Sequence, residues 1–126
     1  VSLRTPLKQA RGLGSAKDGV HHWLIQRLTA LALIPLFVWF IISLVSMMGA
    51  DYQAIQQWMS NPLVTVLLVV FVISLFYHSE LGVQVVIEDY VSAKGARLAA
   101  LILSRFVHFF LAAAAVVAVL QVAFGA

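Results

Sequence analysis

The chain has 126 residues, 63% hydrophobic and 10% charged, with a formal net charge of +3 and a mean hydropathy of +1.00. A soluble domain this short cannot hide so much apolar surface from water. The absence of cysteine excludes disulfides, iron–sulfur clusters and thioether-linked haem within this chain. No Gly-rich nucleotide fingerprint occurs either, so flavin or nucleotide chemistry has to reside on another subunit. The basic residues flank apolar runs, which makes them topology signals rather than a nucleic-acid surface.

The first 19 residues are polar and Gly-rich, without the apolar stretch of a cleavable signal peptide; they read as a cytoplasmic N-terminal segment. Three uncharged runs follow, Leu28 to Met48, Leu63 to Tyr77 and Phe106 to Ala126. With its flanks, each supplies the roughly 20 residues needed to cross about 30 Å of hydrocarbon. The expected fold is all-α, an integral membrane bundle of three transmembrane helices forming one membrane-anchor domain over 1–126.

The first span is predicted over about 20–48, with Pro35 freeing a carbonyl and kinking the helix. Asp51 then caps a short interfacial helix whose Tyr52, Ile55 and Trp58 or Met59 share one face. Asn61-Pro62 supplies an N-cap and a first-turn proline for the second span, about 62–87. Gly95 marks the turn into the third span, about 96–124, where Ala112 to Ala115 and Ala118 give a small-residue packing surface. Arg4, Lys8, Arg11 and Lys17 precede the first span, and Lys94 and Arg97 lie between the second and third. The loop Gly49 to Asn61 and the C-terminus carry no Lys or Arg. The positive-inside rule therefore puts the N-terminus in the cytoplasm, or in the matrix of an organelle, and the C-terminus outside.

Ionisable residues recur inside the spans. Counted from the predicted ends, Arg27, His78 and Arg105 lie roughly 9–14 Å deep, with Glu80 and His108 near that level. Such groups are costly in hydrocarbon and mark shared polar sites. An imidazole facing a bundle interior is a usual axial ligand for haem iron, and two cations at that depth suit an anionic group such as a haem propionate. Plainer readings stand beside these. His78 serves equally as a helix–helix hydrogen bond, Arg27 as a snorkelling side chain and Glu80 with Arg105 as a simple pair. His108 reads as a helix–helix contact, with haem ligation the lesser option. Trp23, Trp39 and Trp58 read as packing or interfacial aromatics, and Tyr90 as a belt residue beside the loop charge Asp89.

Gly19-Val20-His21, followed after five residues by Arg27-Leu28-Thr29-Ala30, resembles the first helix of the smaller membrane-anchor subunits of succinate dehydrogenases. His78 with Leu81-Gly82, then Asp89-Tyr90-Val91 with Tyr90 twelve residues after the histidine, resembles their second helix; Arg97 also fits. The match covers about residues 12–98, and the third span is generic. The resemblance implies that His78 is one axial ligand of haem b, with the larger cytochrome b anchor subunit supplying the other. It implies that Tyr90 hydrogen-bonds a ubiquinone carbonyl with Asp89 close by, and that His21 and Arg27 lie near the haem propionates and the quinone. The iron–sulfur and flavoprotein subunits are then expected on the cytoplasmic face. Those subunits carry the dehydrogenation, and this chain anchors them in a bacterial inner membrane (a mitochondrial one being the lesser alternative) for the tricarboxylic acid cycle and electron transport. The resemblance gives no role to Glu80, Arg105 or His108. A phenol and a carboxylate at the lipid boundary are also chemically suited to bind and protonate a quinone. A bend after Ile87 would bring Tyr90 closer to His78. The competing readings are the anchor of a quinol:fumarate reductase, a haem-free proton-conducting or transport subunit that relays through His78, Glu80 and Arg105, and a purely structural assembly subunit.

Overall fold

The computed structural model describes residues 6–7 and 16–125, the side chains of 16–18 excepted. Arg4, Lys8 and Arg11 lie outside the described residues, and with them most of the expected 1–19 segment. The main elements are α1 (Ala16–Ser46), α2 (Tyr52–Ser60), α3 (Pro62–Tyr90) and α4 (Lys94–Ala123). No strand occurs among the described residues. Gly19–Ser46, Pro62–Tyr90 and Lys94–Ala123 are long and apolar enough to span a membrane, with 28, 29 and 30 residues. At about 1.5 Å per residue each exceeds the hydrocarbon thickness, so the ends reach the interfaces.

Local chemistry sets most of the boundaries. α1 runs unbroken through Pro35 and ends two residues earlier than predicted. There the chain turns through Gly49 at φ +83°, a conformation that costs a glycine nothing. Asp51 accepts from the Ala54 N–H at 2.9 Å and so caps α2. The Asn61 side chain likewise accepts from the Leu63 N–H at 3.0 Å, with Pro62 in the first turn of α3. In α2 the packed face is Ile55, Trp58 and Met59; Tyr52, expected to share it, is 62% exposed. Trp58 stacks on Trp39 of α1, their centroids 5.8 Å apart.

Two boundaries differ from the sequence expectation. α3 continues without a break to Tyr90, beyond the predicted end at Ile87. The Gln84 side chain donates to Glu88 at 2.9 Å one turn on, which supports the last turns of the helix. α4 starts at Lys94, placing Gly95 inside its first turn rather than in the connection. Ala93 offers no side-chain cap. The tight connection is instead held by Arg97, whose Nε donates to the Val91 carbonyl at 2.8 Å.

The three spanning helices of the expected bundle lie in a row. α3 lies in the middle and packs against α1 on one side and α4 on the other, while the α1 and α4 backbones do not pack together. The core is correspondingly thin. Leu68, Phe71 and Leu81 of α3 are buried, as are Ser43, Glu80 and Ala123. Phe71 meets both Phe40 and Phe37 of α1, at centroid distances of 4.9 and 6.0 Å. The alanine surface of α4 is split, with Ala112 and Ala115 half-buried but Ala113, Ala114 and Ala118 exposed. Large apolar side chains such as Leu31, Ile34, Leu103 and Phe109 point outward, as a chain solvated by lipid or covered by other subunits requires.

Candidate functional site

The row architecture gives successive residues of α3 to different neighbours. In a helix, side chains two positions apart point roughly 200° apart. His78 therefore faces α1, whereas Glu80 faces α4. The Nδ1 of His78 lies 3.0 Å from the hydroxyl Oγ1 of Thr29 on α1. That hydroxyl also lies 2.8 Å from the Ile25 carbonyl and 3.1 Å from the Gln26 carbonyl of its own helix. Both Thr29 and His78 are half-buried. Thr29 is 13 residues into α1 and His78 is 12 residues before the end of α3. Their depths from the same end of the row are thus about 20 and 18 Å, which is why they meet.

On the other side of α3, Arg105 of α4 reaches Glu80, with 3.5 Å between Nε and Oε1; the Glu80 side chain is 11% exposed and that of Arg105 72%. The expected pair is present. His108 is the expected helix–helix contact, because its Nδ1 is 2.8 Å from the Ser104 carbonyl and its Nε2 3.2 Å from the Ser79 hydroxyl. A carbonyl only accepts, so Nδ1 carries the proton and Ser79 donates to Nε2. Both nitrogens of His108 are thereby occupied, whereas the hydrogen bond of His78 engages Nδ1 alone. The relay through His78, Glu80 and Arg105 is not assembled, since the histidine and the ion pair look to opposite neighbours of α3.

The remaining candidates sit toward the end of the row that holds the α3–α4 connection. Arg27 is exposed and lies over the Trp23 ring, 5.6 Å from its centroid. It points away from the Thr29–His78 contact, two residues along α1. His21 lines an open cavity of about 560 Å³ together with His22, Gln84, Glu88 and Arg105. Beside it the His22 Nε2 and Gln26 Oε1 are buried without a hydrogen-bond partner. Asp89 and Tyr90 are exposed in the last turn of α3, Tyr90 at 83%. Among the described residues none covers that phenol. Because α3 is a continuous helix here, Tyr90 stands about 18 Å along the axis from His78.

Thr29, Ser79 and the Arg97 clamp carry interactions that the sequence reading did not assign. A hydroxyl two residues from an intramembrane cation was the available signal for Thr29, but its partner depends on which helix packs beside α1.

Residues 2–124 match the family model described as succinate dehydrogenase/fumarate reductase transmembrane subunit. The chain is similar to the succinate dehydrogenase hydrophobic membrane anchor subunit of Paracoccus denitrificans, 34% identical over 123 residues, covering 97% of this chain and 94% of the relative. It is similar to the protein of the same name from Rickettsia bellii, 38% identical over 95 residues, covering 75% and 76% of the two chains. The corresponding Rickettsia conorii protein is 38% identical over 91 residues, covering 71% and 72%. No solved structure matches the chain. With a match over nearly its whole length, this chain belongs to the family of succinate dehydrogenase/fumarate reductase transmembrane subunits.

Proposed function

We propose that the chain is the hydrophobic membrane anchor of a succinate dehydrogenase, co-ligating haem b and completing a ubiquinone-reduction site. In this reading His78 is the axial ligand contributed by this chain, and a larger cytochrome b anchor subunit contributes the second. The iron–sulfur and flavoprotein subunits dock on the cytoplasmic face of a bacterial inner membrane, at the end of the row where the α3–α4 connection lies. The family embraces both succinate oxidation and fumarate reduction; the names of the relatives from Rickettsia and Paracoccus favour the succinate direction.

The observation that carries the proposal is His78 itself. It is a half-buried imidazole about 18 Å from the end of a spanning helix, fixed through Nδ1 with Nε2 left for another partner. Among the described residues no three His, Asp or Glu side chains converge on one metal ion. An axial haem ligand, by contrast, asks for a single imidazole from each chain, and this donor set fits that demand. Haem b, when bound, supplies a one-electron carrier within the membrane. Arg27 offers the positive charge, and His21 a hydrogen-bonding imidazole, that propionates accept from, both on exposed stretches of α1.

Tyr90 donates its phenol proton in a hydrogen bond to a quinone carbonyl, which orients the ring and stabilises negative charge arising on that oxygen. Asp89 sits beside it as a carboxylate within reach of proton exchange with the aqueous face. Their exposure at the helix end leaves room for a ring approaching from the bilayer and for a partner subunit to enclose it. The single test of the proposal is His78→Ala in the purified complex. The reduced-minus-oxidised b-type haem spectrum is expected to be lost or severely perturbed. An unchanged bis-histidine spectrum would overturn ligation by this chain.

A further inference from the structure

We infer that Thr29 is a positioning residue for the haem: its hydroxyl holds His78 as the Nδ1–H tautomer and sets how strongly Nε2 donates. The inference rests on the reading of His78 as an axial ligand, and it adds the residue that prepares the ligand.

A threonine hydroxyl carries one proton and two lone pairs. Thr29 lies 2.8 Å from the Ile25 carbonyl and 3.1 Å from the Gln26 carbonyl, and both of those oxygens only accept. The proton therefore goes back onto the helix, a familiar bond for threonine inside an α-helix. That leaves lone pairs toward His78 Nδ1 at 3.0 Å, so the imidazole is the donor. A neutral ring has one N–H, and with the proton on Nδ1 the lone pair is on Nε2. The opposite arrangement, in which Thr29 donates to Nδ1, places the ring proton on Nε2 and blocks it as a ligand. Ligation and the carbonyl contacts thus require the same proton direction.

His108 provides a comparison within the same chain. Its Nδ1 likewise donates, there to a carbonyl, but Ser79 occupies its Nε2. Among the described residues no such hydroxyl reaches the corresponding atom of His78. One histidine is locked between two helices, and the other is oriented at one end only.

The chain of bonds Nδ1–H to Thr29 to Ile25 carbonyl also tunes the ligand. A hydrogen bond from the distal nitrogen raises the basicity of the coordinating one, and the onward bond to a carbonyl strengthens the first. A more basic ligand stabilises ferric over ferrous iron. Removing the hydroxyl should therefore raise the haem midpoint potential. A net hydrogen bond of ordinary strength corresponds to roughly a three- to tenfold change in the reduced-to-oxidised ratio. For a one-electron couple this is a positive shift of about 30–60 mV.

The experiment uses the whole purified complex carrying Thr29→Val, which keeps the shape and β-branching and deletes only the hydroxyl. Thr29→Ser restores a hydroxyl. Haem content, potentiometric midpoint and the low-temperature EPR spectrum of the ferric haem are measured for each. The expected result is retained haem, a raised midpoint and an altered EPR anisotropy in the valine variant, with both returning toward wild type in the serine variant. A wild-type midpoint and spectrum in Thr29→Val overturn the inference. Thr29→Ala serves as the second variant should valine prevent assembly. If neither assembles, Thr29→Cys decides, because its thiol is only a weak acceptor: a raised midpoint supports the inference and a wild-type midpoint overturns it. His78→Ala separates the two levels. Haem lost there with Thr29→Val unchanged removes only the role of Thr29, whereas haem unperturbed in His78→Ala removes the ligation reading beneath it.

Discussion

Arg105→Leu should damage this protein more than Glu80→Leu, although both remove the same ion pair. The contact is a single Nε–Oε1 approach of 3.5 Å with unequal burial, the Glu80 side chain being 11% exposed and that of Arg105 72%. Coulomb attraction at that distance is about 1 kcal/mol in bulk water and about 5 kcal/mol at an effective dielectric constant of 20. Arg105 stands 11 residues into a spanning helix, so its exposed surface meets lipid or another subunit rather than bulk water. A coupling of about 2–4 kcal/mol follows, between those limits. Removing Arg105 strands a carboxylate enclosed between α3 and α4, which has no flexible stem with which to escape. Removing Glu80 strands a guanidinium on a long side chain that can turn toward the interface. Replacing both by leucine removes the charge from the membrane and should cost less than either single change. The assay is a double-mutant cycle on the purified complex, read as unfolding free energy by denaturant titration in detergent. Additivity of the two single effects within about 0.5 kcal/mol would refute the pairing, and a milder Arg105→Leu than Glu80→Leu would refute the argument from unequal burial.

Tyr90→Phe keeps the ring and deletes the hydroxyl, so haem content should be unchanged while quinone reduction falls by roughly tenfold or more, the scale of one lost hydrogen bond to a developing charge. Electron transfer from succinate to an artificial acceptor that bypasses the quinone should continue; normal quinone reduction would make Tyr90 an interfacial anchor. Arg97→Gln removes the Nε donor that holds the Val91 carbonyl at 2.8 Å and should cost about 1–3 kcal/mol of local stability. Hydrogen exchange of the α3–α4 connection should accelerate, and unchanged protection of the Val91 to Ala93 amides would show that the clamp does not hold this turn.

Much of the architecture was legible because it is written in consecutive residues. Hydropathy sums along the chain, so the three spans emerge without knowledge of their neighbours. Asp51 and Asn61 cap helices through hydrogen bonds two or three residues away, and such short-range chemistry survives any tertiary arrangement. The polar layer was also accessible, since depth is counted along each helix. Boundaries that depend on contacts were less so. α3 outruns Ile87 with help from Gln84 and Glu88, and α4 starts early because Arg97, six residues from its acceptor, closes the turn that Gly95 was expected to make.

The sequence by itself determined that this chain crosses the membrane three times and carries ionisable groups at a common depth. It also carried the residue pattern of the family to which the chain belongs. Only the tertiary structure decided which helix each of those groups addresses. α3 is apolar nearly all round, so no polar stripe in its sequence marks one face as buried. Its placement between α1 and α4 then gives His78 to Thr29, Ser79 to His108 and Glu80 to Arg105. Neighbouring residues on one helix diverge by about 100° each, and their chemistry separates accordingly: a histidine oriented by a hydroxyl on one side, and an ion pair with a locked histidine on the other.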